Sequence, residues 1–278
     1  MRTMKIVADS SSDVLEIEGV DFASAALKMV TEEREFVDDA NLNVAEMADY
    51  FSRYKSRSHT ACPSAGDFLD AFGDAEDVFC ITITSGLSGS YNAACAAKEI
   101  YESEHPGRRV LVIDSRSAGP ELRLTIERLE EYIQAGESFE EISEKIGEYT
   151  KQTGLLFMLK SMKNLANNGR VSKITAKIAG VVGIHVVGKA SEQGTLEPMD
   201  KCRGEARALE AIVSHLKSFG VSRGRVRIAH CFNESAAQEL KALIKKCMAE
   251  AEVKIHACRG LCSFYAEVGG LLVGFEKI

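Results

Sequence analysis

Residues 79–99, FCITITSGLSGSYNAACAAKE, constrain the fold of this chain more than any other stretch. Phe79 to Thr84 is an apolar run of strand formers, Ser85 to Ser90 is a Gly/Ser turn, and from Tyr91 small residues recur at helical spacing. A strand, a tight turn and a helix in succession aim backbone N–H groups and the positive end of the helix at whatever occupies the turn. The hydroxyls of Ser85, Ser88 and Ser90 add further donors. Such a junction suits an anion, but glycines that merely make a turn and a serine that merely caps a helix would leave the same trace.

Of 278 residues 45% are hydrophobic and 27% charged, enough for two packed cores. The formal net charge is -7 and no run of Lys or Arg stands out, which argues against nucleic acid as a partner. The opening MRTMKIVADSSSD holds no apolar region of signal-peptide length, and the apolar runs at 154–159 and 179–187 are too short for a membrane span. A cytoplasmic protein is expected. Eight cysteines are scattered without a C-x-x-C pair. His256, Cys258 and Cys262 come nearest to a metal cluster, yet no second ligand pair stands at zinc spacing, so reduced, mostly buried thiols and no metal are expected.

Lys5 to Ala8 reads as a strand that empties into Asp9-Ser10-Ser11-Ser12-Asp13, a polar loop at a carboxyl end where open α/β sheets keep their ligand crevice. Phe22 to Val30 reads as a second strand, and Asn43 to Tyr54 as an amphipathic helix. Ser64 is placed to cap the helix carrying Phe68, Leu69 and Phe72, which puts Thr60 on the approach to that helix. The strand Val110 to Ile113 and the helices Pro120 to Gln134 and Phe139 to Thr150 complete a doubly wound unit. The pattern changes near Gly154, so two α/β domains are expected, 1–155 with a mostly parallel sheet and 156–278 with a mixed, antiparallel one. In the second, Ser172 is read as capping a helix to about Val182, and Glu192-Gln193-Gly194 as a hairpin turn between strands.

Gly86-Leu87-Ser88-Gly89-Ser90 nearly matches the nucleophile elbow G-x-S-x-G, with Ser90 where the last glycine belongs. A serine acyl hydrolase with Ser88 as nucleophile is therefore the alternative reading, although His185, His215, His230 and His256 fall in no evident loop beside a carboxylate. Neither G-x-x-x-x-G-K-[ST] nor G-x-G-x-x-G occurs, which argues against a nucleotide. A carboxylate suits hydroxyls and amides that carry no fixed positive charge, and it makes a binder rather than a catalyst.

Thr60-Ala61-Cys62-Pro63-Ser64, Ser85-Gly86-Leu87-Ser88-Gly89-Ser90-Tyr91-Asn92 and Asn168-Gly169-Arg170, in that order, together with the opening Asp9 to Asp13 loop and a closing strand ending Gly274-Phe275, resemble the DegV family of bacterial fatty-acid-binding proteins. The resemblance runs the whole chain. It implies one long-chain fatty acid such as palmitate buried between two domains, no cofactor, no catalysis, and for some members a fatty acid kinase as partner in lipid metabolism. Carried over by motif, Thr60 and Ser88 hold the carboxylate with the Gly89 amide as a third donor. Arg170 is assigned either to an acid across the interface or to a partner. Two departures stand out. Tyr265 occupies about the place of a histidine that many members keep near the head group, and His185-Val186 stands where many have Lys-Pro.

Overall fold

A computed structural model describes residues 2–172 and 181–278. In chain order the described strands are β1 (Met4–Asp9), β2 (Asp21–Ala25), β3 (Lys28–Thr31), β4 (Glu35–Val37), β5 (Ser58–Ala61), β6 (Asp77–Thr82), β7 (Arg109–Asp114), β8 (Thr153–Leu159), β9 (Ile184–Ala190), β10 (Leu196–Arg203), β11 (Arg225–His230), β12 (Glu252–Ala257) and β13 (Leu271–Glu276). The described helices of five residues or more are α1 (Val44–Arg53), α2 (Ala65–Phe72), α3 (Ser90–Glu104), α4 (Pro120–Gln134), α5 (Phe139–Tyr149), α6 (Lys163–Asn167), α7 (Glu205–Ser218), α8 (Glu234–Cys247) and α9 (Gly260–Ala266).

The protein is α/β. Strands β2-β1-β6-β7 form a parallel sheet. Because helices cover both of its faces, its strands are apolar on both sides rather than alternating. Val7, Val78 and Cys80 pack with α2 and α3, while Ile6, Phe79 and Ile81 pack with α4 and α5. A six-stranded sheet, β10-β9-β8-β13-β11-β12, is antiparallel except for the β11/β12 pair. One of its faces buries Leu156, Val187, Ile228 and Val273 against α7 and α8. Among the described residues no helix is long and apolar enough to cross a membrane.

Three expectations are corrected. The run Phe22 to Val30 is not one strand, since the chain leaves the parallel sheet after Ala25. Leu27 N donates to Ser10 Oγ at 3.0 Å and Leu27 O accepts from Asp38 N at 2.9 Å, and the chain then enters an antiparallel sheet, β4-β3-β5. Thr60 consequently lies on strand β5, paired with Met29, rather than in a helix approach. Ser64 does cap α2, and Asp67 completes a capping box. Of the eight thiols, all unpaired, only Cys80, Cys231, Cys258 and Cys262 are buried, so half rather than most are enclosed. The helix expected from Ser172 to about Val182 falls for the most part on residues 173–180, which lie outside the described residues.

Candidate functional site

The turn after β6 is held by carboxylates on neighbouring strands. Asp9, fully buried at the end of β1, accepts from Ile83 N at 2.8 Å and from Ser90 Oγ at 2.5 Å. Asp114, at the end of β7, accepts from Ser85 N at 3.0 Å and Ser85 Oγ at 2.5 Å. Two of the three hydroxyls are thereby engaged in the frame. Ser88 is the one that lines a cavity, its Oγ accepting from Ser90 N at 3.3 Å. No serine caps α3. Its N-cap is Gly89, which lies outside the cavity lining and whose added methyl would meet Cys62 Sγ at 3.2 Å. The far side of the turn rests on the β9–β10 hairpin, at the residues where the turn was expected. Gly194, with φ at +71°, leaves no room for a side chain, since a Cβ would lie 1.9 Å from Thr84 Oγ1.

The cavity takes in about 700 Å³ of empty space, its open mouth included. Among the described residues its wall is aliphatic and aromatic, with Leu27, Ile83, Leu155, Phe157 and Leu272 spanning both halves of the chain, apart from Thr60, Ser88, Arg170, Tyr265 and the thiol of Cys262. Thr60 Oγ1 and Tyr265 OH share a hydrogen bond of 2.8 Å across 205 residues of sequence. One O–H serves that contact, and the other is left for a further acceptor. Burial raises the Tyr265 phenol above its ordinary value, with Thr60 and then Arg170 acting against the rise, so the phenol stays a donor at neutral pH.

Arg170 departs from the expected site chemistry. Its Nε donates to Leu87 O at 3.0 Å, a second N–H donates to Asn168 O, and among the described residues it pairs with no carboxylate. The cavity wall therefore includes a fixed positive charge that the motif reading left out. His185, in contrast, is buried on β9, 3.9 Å from Glu205 Oε2, and does not line the cavity. Burial first, then Lys160, lower its pKa and keep it neutral.

Tyr265 is positioned by a residue that sequence reasoning did not single out. Asp38, fully buried, accepts from Gly260 N and Leu261 N, both at 2.9 Å, at the start of the helix that carries Tyr265. Asp13 accepts from Arg259 N at 2.8 Å just before it. Burial, and then the Asp38 charge, push Asp13 up to about 7. A carboxyl raised in the folded state stabilises most below its unfolded pKa, and that contribution is lost as pH rises through the folded value. Stability is thus expected to fall by about 1 kcal/mol between pH 6 and pH 8, and Asp13→Asn to flatten the slope. Urea titrations at both pH values check this, and an equal slope in the variant would reject the assignment.

The family model described as "Uncharacterised protein, DegV family" matches residues 3–277. The chain belongs to the DegV family. A DegV domain-containing protein of Streptococcus pneumoniae strain R6 is 42% identical over 278 residues, 99% of each chain. A DegV family protein from Eubacterium eligens, solved loaded with heptadecanoic acid, superposes with a TM-score of 0.97 at 43% identity, covering 99% of this chain and 100% of that one. The Streptococcus pneumoniae Fatty Acid Kinase (Fak) B3 protein, solved loaded with linoleic acid, gives 0.97 at 42% identity with the same coverage. The parallel and mixed sheets are thus the DegV architecture, and the cavity lies between them.

Proposed function

We propose that this DegV protein is a carrier that binds one long-chain fatty acid in the cavity and presents it to a fatty acid kinase. The acyl chain lies along the apolar wall, and the carboxylate meets Thr60, Ser88, Tyr265 and Arg170. The observation that carries this reading is the composition of the wall, with its hydroxyls and single guanidinium set in an otherwise apolar enclosure. Burying about 14 methylenes at about 0.8 kcal/mol each supplies on the order of 11 kcal/mol before ordering costs, so the chain provides affinity and the polar group orientation. The relatives solved with heptadecanoic and linoleic acids support the same ligand class. Residues 1–155 would supply Thr60 and Ser88, and residues 156–278 would supply Arg170 and Tyr265.

The hydrolase alternative finds no base, since among the described residues no histidine lines the cavity with Ser88. Native mass spectrometry of the purified protein is expected to show the added mass of one fatty acid, and a fluorophosphonate to leave Ser88 unlabelled. Protein that carries no lipid and takes up none when offered palmitate would overturn the proposal.

Tyr265→Phe removes one donor while keeping the ring. Displacement of a fluorescent fatty acid is expected to show affinity reduced about tenfold or more, as the loss of one hydrogen bond to an ionised carboxylate, about 1.5 kcal/mol or above, implies. Unchanged affinity would confine Tyr265 to packing.

A further inference from the structure

Leu155, Phe157 and Leu159 line the cavity from one face of β8, while Leu156 and Met158 between them pack on the other face, against α7 and α8. Thr153 continues the cavity-facing row by the same alternation. The two ends of this row differ.

The Leu159 end is the polar one. Gly270, which directly precedes the Leu271–Met158 pair, is backed by the helix that carries Tyr265, since a Cβ there would lie 2.4 Å from Ala266 O. At the Leu155 end the row meets the start of α4. Gly274, the cross-strand partner of Leu155, leaves no room for a side chain, because its Cβ would lie 2.6 Å from both Pro120 C and Glu121 N. One step further along β8, Thr153 Oγ1 donates to Glu121 Oε1 at 2.7 Å in a buried contact.

Beyond that contact the surroundings change character. Glu121, Lys151, Thr153, Lys189 and Lys277 line an open, charged cleft, and among the described residues Leu155 is the one member of the cavity wall that also borders it. An acyl chain running down the row from the polar end meets apolar wall as far as Leu155, and a carboxyl, a hydroxyl and ammonium groups after it. A methylene gains from leaving water only where apolar surface receives it.

We infer that Leu155 is the floor of the lipid cavity and the residue that fixes the longest acyl chain the protein accepts. The inference rests on the carrier reading above and makes that carrier length-selective. The floor is a firm one, because Leu155 is 4% exposed and β8 is an interior strand of its sheet, paired with β9 on one side and β13 on the other.

The test measures the affinity of the delipidated full chain for saturated fatty acids of increasing length, laurate to behenate, by displacement of a fluorescent fatty acid. In the parent, affinity is expected to rise about fourfold per added methylene, the transfer value of one CH2, up to a maximum and then to fall. Leu155→Ala is expected to move that maximum about two methylenes longer, and Leu155→Phe to move it shorter. Leu155→Val, a milder truncation, gives the same direction should the alanine variant fail to fold. Leu159→Ala, at the polar end of the row, is expected to weaken every length and leave the maximum in place. A maximum that stays put in the variants at 155, or that moves as far in Leu159→Ala, would overturn the inference and leave the carrier reading standing. A parent that binds no member of the series would overturn the carrier reading itself, and the inference with it.

Discussion

A protein carrying Thr60→Val together with Ser88→Ala is expected to fold as the parent does and to bind palmitate about a hundredfold more weakly or worse, by calorimetry on delipidated protein. Each substitution removes a hydroxyl from the wall of an apolar cavity, and a hydrogen bond to an ionised carboxylate is worth about 1.5–3 kcal/mol. The backbone is largely spared, because Thr60 pairs with Met29 through main-chain ladder bonds and valine fits a strand, while Ser88 is not the N-cap of α3 and gives up only the 3.3 Å contact from Ser90 N. The loss should exceed that of either single variant, since a carboxylate that keeps one hydroxyl and Arg170 is still partly solvated. Binding left unchanged in the double variant would remove the head group from this end of the cavity. Unfolding of the variant by circular dichroism would instead show that the two hydroxyls hold the frame.

The strand, turn and helix of residues 79–104 were legible because the signal is local. Glycines and serines cluster between an apolar run and a helix-spaced one, and the Ser64 cap and the hairpin at 192–194 are just as short-ranged. What holds those pieces together was not legible. Asp9 reaches Ser90 across 81 residues and Asp38 reaches Gly260 across 222, and nothing in the periodicity of either segment marks these aspartates as buried acceptors. The break of the run 22–30 into two sheets has the same origin, since a long-range acceptor, Ser10 Oγ, turns the chain at Leu27. Arg170 shows the limit most plainly. A motif placed it in the chain, but only the fold brings it onto the Leu87 carbonyl and into the wall it shares with Thr60 and Tyr265.

Replacing Arg227 with methionine is expected to cost about 3–5 kcal/mol of stability, the usual result of stranding one member of a buried ion pair. Arg227 lies on β11 and is 1% exposed. Its Nε and Nη2 contact both oxygens of Glu127, on α4, at 2.7–3.0 Å, and Nη2 also donates to Glu252 Oε1 at 3.0 Å. One guanidinium thus ties the helix that covers the parallel sheet to the parallel strand pair of the mixed one. Arg128 and Tyr149 make a second tie beside it, through Glu276 at 3.1 and 2.7 Å. Methionine fills the stem but leaves the largely buried Glu127 carboxylate with only the more distant Arg225, 3.7 Å away, to oppose its charge. Glu127→Leu alone should also destabilise, though less, since it takes the larger share of the arginine's hydrogen bonds and leaves it Glu252. Made together, the two changes are expected to restore most of the loss, because a matched apolar pair avoids the desolvation that each lone charge incurs. Urea midpoints of the three variants decide it. Singles within about 1 kcal/mol of the parent, or a double variant no better than the sum of the two, would show that α4 is held on the mixed sheet by apolar packing and not by this ion pair.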